Sequence, residues 1–383
     1  MMKALRKVVI APDSFKESLS ALDVAAAIER GFRQIYPDVE YVKLPMADGG
    51  EGTVDSMVAA TEGEIVQLSV RGPLGMPVEA FYGLLGDGET AVIEMAAASG
   101  LHLAPSDQRD PLIATSYGTG ELILAALDRG VSAIILGIGG SATNDGGAGM
   151  MQALGARLLD GQQRPLPPGG AALASLAELD LSGVDARLQQ VKVTVACDVD
   201  NPLCGKNGAS AIFGPQKGAT PAMVEQLDNA LRHYGTLLEQ TTGRKVLNAP
   251  GAGAAGGMGA ALLGMLDAQL RPGIEIVIET LRLEEAILGA DLVITGEGRL
   301  DSQSVHGKTP IGVARVAKRH RLPVIGIAGS LAADYQVVHQ HGIDAAFSVI
   351  DRIVTLEEAL GSAAHNLEVT ARNVAAVWQL AQR

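Results

Sequence analysis

Apolar positions along this chain change rhythm several times, and each change marks an element. Residues 7–11 are a β-branched apolar run that predicts a buried strand, and 12–18 are a polar loop. Ser20, with Asp23 three residues on, has the pattern of a capping box. Val24, Ile28, Phe32 and Ile35 then share one helical face, and Tyr36-Pro37 closes the helix. A second apolar run, 39–44, ends in Met46-Ala47-Asp48-Gly49-Gly50-Glu51-Gly52. Strand, helix, strand is the βαβ unit of a parallel sheet.

The same rhythm returns late in the chain. Residues 291–295 run as a strand into Gly296-Glu297-Gly298-Arg299-Leu300-Asp301, and Thr309 caps a helix with Pro310 at its first position. Residues 323–328 and 345–350 read as further strands. Thr355 opens one long helix with Leu356, Leu360, Ala363, Leu367, Ala371 and Val374 on its apolar face. The middle differs. Runs at 65–70, 78–85 and 90–96 follow one another through turn residues, as hairpins do, and strands at 133–138 and 192–197 come later. The expected fold class is α/β, a Rossmann/flavodoxin-like parallel-sheet domain with a second mixed α/β domain inserted into it. The expected boundaries are 1–75 with 285–383 for the first domain and 76–284 for the second.

Composition sharpens this picture at three points. At 383 residues and 47% hydrophobic, the chain has enough apolar material for two cores, built from aliphatic side chains because aromatics supply only 3%. Glycine is in excess, 47 residues or about 12% against a usual ~7%, and it clusters in loops after apolar runs, where backbone can approach a ligand. A formal charge of −13 argues against a nucleic-acid partner but not against a small anion bound by a few local cations. Cys197 and Cys204 are too few for a disulfide framework or a zinc site. The N-terminal residues lack a signal-peptide pattern, and the longest apolar stretch, 251–266, falls short of the ~18 residues of a spanning helix. A cytoplasmic protein with no membrane partner is expected, as a monomer or a homodimer.

Several strands end in glycines mixed with Asp, Asn, Ser or Lys, a design suited to anions. Freed amides form a nest for phosphate oxygens, and nearby carboxylates can hold Mg²⁺ against them. The loop 11–18 offers Ser14, Lys16 and a following helix N-terminus. The loop 137–147 carries Gly139, Gly140, Ser141, Asn144 and Asp145 and is the strongest phosphate or carboxylate candidate. Asp198, after the 192–197 strand, reads equally as a general base, a metal ligand or an Asx-turn residue. Glu297 and Asp301 could bind Mg²⁺ while Arg299 faces a phosphate, or the acids and Arg299 could form surface ion pairs; Lys308 sits at a helix start where phosphate could dock.

Two motifs are read as decoys. Gly251-Ala252-Gly253-Ala254-Ala255-Gly256 matches G-x-G-x-x-G, but no clear strand precedes it, which disfavours a nicotinamide dehydrogenase; it reads as a tight helix entry. Gly307-Lys308-Thr309 has the ending of a P-loop, but Ser302 stands where its first glycine belongs. The seven histidines show no metal spacing, and His306 alone sits in a glycine-bearing loop.

With these loops in view the chain resembles the bacterial type I glycerate kinase family. The resemblance rests on Ala11-Pro12-Asp13-Ser14-Phe15-Lys16-Glu17-Ser18, Met46 through Thr53, the 137–149 loop, Ala196-Cys197-Asp198-Val199, Phe213-Gly214-Pro215-Gln216-Lys217-Gly218-Ala219, the 253–259 segment and Ile294 through Asp301, in order over almost the whole chain. It implies an ATP-dependent kinase that phosphorylates D-glycerate to 2-phosphoglycerate, with the active site in the cleft between the two domains. Charge then suggests roles. Lys16, Ser14 or the 139–144 loop would hold the glycerate carboxylate, and Asp198 would take the proton of the attacking hydroxyl. Mg²⁺ would lie among Asp48, Glu297, Asp301 and Asp198. The competing class is a non-catalytic sensor of a phosphorylated metabolite, for which so many acids beside phosphate loops have no use.

Overall fold

A computed structural model describes residues 5–381. Residues 1–4, part of the N-terminal stretch read above for a signal peptide, lie outside it. The chain divides into two units, one discontinuous and one inserted into it.

The discontinuous unit takes residues up to Asp48, Asp55–Glu62, and the chain from Pro272 onward. Its sheet is wholly parallel, with Ala345–Ser348, Val324–Ala328, Leu292–Thr295, Lys7–Ile10 and Glu40–Lys43 side by side in that order. Numbered along this unit the order is 2-1-3-4-5, the flavodoxin-like arrangement. Val8, Ile10, Leu292, Ile294, Ile325 and Ile327 form its buried apolar interior, as expected of strands covered on both faces. Helix Ala21–Arg33 begins after Ser20 as expected, but with one half of the expected capping box, because the Asp23 carboxylate accepts from the Ser20 hydroxyl at 2.6 Å. Ser20 Oγ accepts from the Asp23 amide at 3.1 Å, and such a cap contributes about 1 kcal/mol. Val24, Ile28 and Phe32 on its face are fully buried.

Two helix expectations need correction. The helix predicted from Thr355 is two, Leu356–Gly361 and Ala363–Ala381. Thr355 does cap the first, paired with Glu358, but the Ser362 hydroxyl donates back to the Glu358 carbonyl at 2.5 Å, a local bond that competes with continuing the helix. Leu356 is therefore 72% exposed, while Leu367, Ala371 and Val374 are buried. Thr309, by contrast, is not a cap. Lys308 holds that position, and buried Thr309 starts helix Thr309–Arg319 with its hydroxyl turned elsewhere.

The inserted unit takes Gly49–Val54 and Gly63–Arg271. Both boundaries fall earlier than 75 and 285. The reason is pairing: Glu64–Arg71 is bonded along its whole length to Pro77–Leu84 and cannot be split from it, and Arg271 ends a strand paired with Ala196. The sheet has six strands in the order Gln269–Arg271, Lys192–Ala196, Ala133–Gly137, Thr90–Glu94, Pro77–Leu84, Glu64–Arg71. The first four are mutually parallel and the hairpin runs antiparallel at one edge, which makes the sheet mixed. Ile93, Leu136 and Val195 from the sheet meet Leu122, Met150 and Tyr234 in its core. A two-stranded ribbon, Arg157–Asp160 with Leu176–Asp180, and the 22-residue helix Pro221–Thr242 complete the unit. No described helix is long and apolar enough to cross a membrane.

Candidate active site

In a 2-1-3-4-5 sheet the connections leave strands 1 and 3 in opposite directions, and ligands of open parallel sheets bind in the crevice this opens at the strands' carboxyl ends. Here those strands are Lys7–Ile10 and Leu292–Thr295. The loops that follow are tied together: the Asp13 amide donates to the Gly296 carbonyl at 2.8 Å, and the Thr295 hydroxyl donates to the Ala11 carbonyl at 2.8 Å. A side chain at Gly296 would drive into the Ile327 carbonyl of the adjacent strand, so this close packing requires glycine.

Two carboxyls gather at this point. Asp13 Oδ1 accepts from the Ser14 amide at 2.7 Å and, more weakly, from the Ser14 hydroxyl at 3.3 Å; Oδ2 accepts from the Thr309 hydroxyl at 2.6 Å. Burial raises its pKa to about 6, and the Asp48 charge adds to the rise, against Thr309, Ser14 and Lys16. Glu297 is 8% exposed; its Oε1 accepts from the Ser304 hydroxyl at 2.5 Å, and Lys308 Nζ lies 3.6 Å from Oε2. Burial raises the Glu297 pKa to about 7; Ser304 and Lys308 oppose the rise, while the charges of Asp13 and Asp301 reinforce it. Four acids and two lysines therefore share one electrostatic neighbourhood. Arg299 is exposed, 3.7 Å from Asp301, and Asp301 also accepts from the Gln303 amide at 2.8 Å. Lys16 is exposed and His306 is also exposed.

In the inserted unit the strand register aligns Glu94 with Gly137 and Gly137 with Ala196. The 138–147 loop and Asp198 thus leave the same sheet edge. Gly139 and Gly140 are exposed, whereas 141–147 are buried. The loop is pinned by the Leu101 amide on the Gly140 carbonyl, 2.8 Å, and by the Ala142 amide on the Ser99 carbonyl, 2.9 Å. From inside, the fully buried Lys217 ammonium donates to Ser141 Oγ at 2.7 Å and to the Thr143 carbonyl at 2.6 Å. Gly256, at φ +66°, packs where a side chain would meet the Thr143 carbonyl, so the tight helix entry of the false dinucleotide motif supports this loop. No strand of the described residues runs into that motif.

Asp145 and Asn144, expected to meet substrate, are committed inside the fold. Asp145 is fully buried; its carboxylate accepts from the Ser116 amide and hydroxyl, both 2.8 Å, and from the amides of Gly147 and Gly149. Asn144 is equally buried, with Nδ2 on Ser210 Oγ at 2.9 Å. Loop polarity predicts a ligand role for both; four donors around one carboxylate describe a scaffold for Asp145, whereas Asn144 Oδ1 is buried with no hydrogen-bond partner. Asp198 is exposed beside Cys197, whose thiol donates to the Val199 carbonyl at 3.3 Å. Burial raises the pKa of both thiols, that of Cys204 to about 12.

Sequence reasoning missed the carboxyl of Asp13, the hydroxyls of Thr309 and Ser304, and Lys217. Asp13 was legible as the polar residue nearest a strand end. The others become functional candidates only through tertiary contacts. Among the described residues no three His, Cys, Asp or Glu side chains form a metal-holding group. The donors near Asp13 still suit Mg²⁺, which binds through one or two carboxylates and takes its other oxygens from water and phosphate.

Known proteins align with this chain over its length. The model of the Glycerate kinase family matches residues 8–379. A glycerate kinase of Bacillus subtilis (strain 168) is 60% identical over 376 residues, 98% of each chain. A glycerate 2-kinase of Escherichia coli (strain K12) is 60% identical over 377 residues, 98% of this chain and 99% of that one. A crystal structure described as "putative glycerate kinase 2" from Salmonella typhimurium LT2 superposes with a TM-score of 0.93 at 62% identity, covering 99% of this chain and 100% of the other. With the family model matched over residues 8–379 and near-complete alignment on both sides, this chain belongs to the glycerate kinase family.

Proposed function

We propose that this protein transfers the γ-phosphoryl group of ATP to the 2-hydroxyl of D-glycerate, giving ADP and 2-phosphoglycerate, in the cytoplasm. The observation that carries the reading is the cluster of Asp13, Glu297 and Lys308 at the switch point of a parallel sheet, in a chain of this family. Two carboxyls pushed up by burial and by their neighbours' charge are poorly placed for stability alone and well placed to meet a cation-bound polyphosphate. Asp48, Glu297 and Asp301, joined by Asp13, would hold Mg²⁺, which would neutralise charge on the transferring phosphate oxygens.

The chain's own groups supply the rest. Lys308 lies beside Glu297 and can bind a phosphate oxygen once that carboxylate is engaged elsewhere. Arg299 and Lys16 are exposed cations suited to phosphate and carboxylate, and Ser14 can hydrogen-bond either. On the inserted unit, Gly139, Gly140 and Ser141 offer donors to an anion. Asp198, exposed at the same sheet edge, accepts the hydroxyl proton as the glycerate oxygen bonds to phosphorus and the bond from phosphorus to the bridging oxygen of ADP breaks.

The test is ADP release in the presence of D-glycerate, ATP and Mg²⁺, with the phosphate position read by NMR of the product. Release that depends on all three and yields the 2-phosphate supports the reading. Binding without turnover would favour the sensor, and a 3-phosphate product would correct the regiochemistry.

A further inference from the structure

Lys217 presents a problem of energetics. It ends the short turn Pro215–Lys217 and is 1% exposed. Burying an ammonium costs several kcal/mol unless it is well paired, and an apolar residue of similar size would usually be no less stable there. Its bonded acceptors are a hydroxyl and a carbonyl, Ser141 Oγ and Thr143 O. Burial lowers the Lys217 pKa to about 7, and Asp145, whose charge opposes that drop, spends its carboxylate on Ser116, Gly147 and Gly149. The cation is therefore kept under the 139–143 loop without a carboxylate bonded to it.

The bond to Ser141 has a chemical consequence. In its charged form Lys217 has only donors, so Ser141 Oγ then accepts from it and the hydroxyl's own proton points elsewhere. Ser141 is 6% exposed and adjoins the exposed Gly139 and Gly140. A hydroxyl polarised by a cation on one side becomes a stronger donor on the other.

We propose that Lys217 is a positioning residue: it orients the Ser141 hydroxyl and holds the 139–143 loop so that this hydroxyl and the amides of Gly139 and Gly140 bind the carboxylate of the acceptor acid. This rests on the kinase reading above and names the element that recognises the acid. The loop's anion is thus the carboxylate of glycerate rather than a phosphate of ATP, and Lys217 acts through Ser141 without touching substrate.

Steady-state kinetics of wild type, Lys217→Met and Ser141→Ala, each with its thermal midpoint, provide the test. Lys217→Met is expected to raise KM for D-glycerate about 10- to 100-fold, the range of a charge-assisted contact, with KM for ATP within about twofold. Ser141→Ala is expected to raise the same KM about 3- to 10-fold and to lower the midpoint by less than Lys217→Met, because the lysine keeps the Thr143 carbonyl. Because the two residues act in series, the double variant should be no worse than Lys217→Met. A purely structural lysine would lower the midpoint and the active fraction, hence kcat, and leave KM for the acid alone. If Lys217→Met does not fold, Ser141→Ala decides. Unchanged KM for D-glycerate, or a rise confined to ATP, overturns the assignment. A wild type inactive on D-glycerate with Mg-ATP overturns the kinase reading instead, so the two failures are distinct.

Discussion

Glu297 sits where its carboxyl is held neutral far above the ordinary carboxylate range, at about 7 instead of 4.5. The folded chain therefore keeps a proton that the unfolded chain releases, and the stability this group contributes falls as pH rises from about 4.5 to about 7. Asp13 acts in the same direction up to about 6. Glu297→Gln keeps an acceptor for the Ser304 hydroxyl but cannot ionise. Without divalent cation, its thermal midpoint should fall less than the wild type's between about pH 5 and about pH 8, and at the higher pH it should be at least as stable. Equal pH dependence of the two proteins would mean that the carboxyl is not held as described. Asp198, by contrast, is an exposed acid. Asp198→Asn should lower kcat about 10²-fold or more, with the fold intact, if it accepts the hydroxyl proton; an unchanged kcat removes it from that role. Residue types at strand ends made both acids visible in the sequence. Their environments were not visible, because what raises the Glu297 pKa is burial together with Asp13, nearly three hundred positions away in the chain. The same limit explains Asp145, which has the polarity of a ligand and the surroundings of a structural pin.

Elements were more legible than environments, and the reason is periodicity. Runs of branched apolar residues located the strands Lys7–Ile10, Leu292–Thr295, Val324–Ala328 and Lys192–Ala196 to within a residue or two, since a fully buried strand tolerates little else. The ribbon Arg157–Asp160 with Leu176–Asp180 leaves little trace in the sequence because it is short and largely polar on one side. Helix ends are hard to read where a side chain has a better use than capping. Thr309 gives its hydroxyl to Asp13, a partner that local sequence cannot name. Gly296 expresses the same principle in the backbone: it is needed because Ile327, on the neighbouring strand, runs directly against it. Gly296→Ala should force the Leu292–Thr295 and Val324–Ala328 strand ends apart and cost about 1–3 kcal/mol, read as a lower denaturant midpoint. It should also weaken ATP turnover, because Asp13 hangs on the Gly296 carbonyl. A variant with wild-type stability would show that the strand ends yield without strain.

At the scale of the whole molecule, order along the chain carried the architecture: βαβ at both ends and a different rhythm between them imply an insertion, and the sheet of the discontinuous unit draws its strands from both sides of it. What order could not supply was the exact seam, which follows strand pairing rather than composition. The residues proposed for function fall on both units, Asp13, Glu297 and Lys308 on the discontinuous one and Ser141, Lys217 and Asp198 on the inserted one. If both sets serve one phosphoryl transfer, disabling either should suffice. Glu297→Gln and Asp198→Asn should each lower kcat/KM steeply, and the double variant should be much less impaired than the product of the two losses, because groups that stabilise a single transition state fail together once one is missing. Losses that multiply fully would mean independent contributions. Retention of turnover by either single variant would confine the chemistry to the other unit, and the excess of acids and glycines on the silent one would then need another purpose.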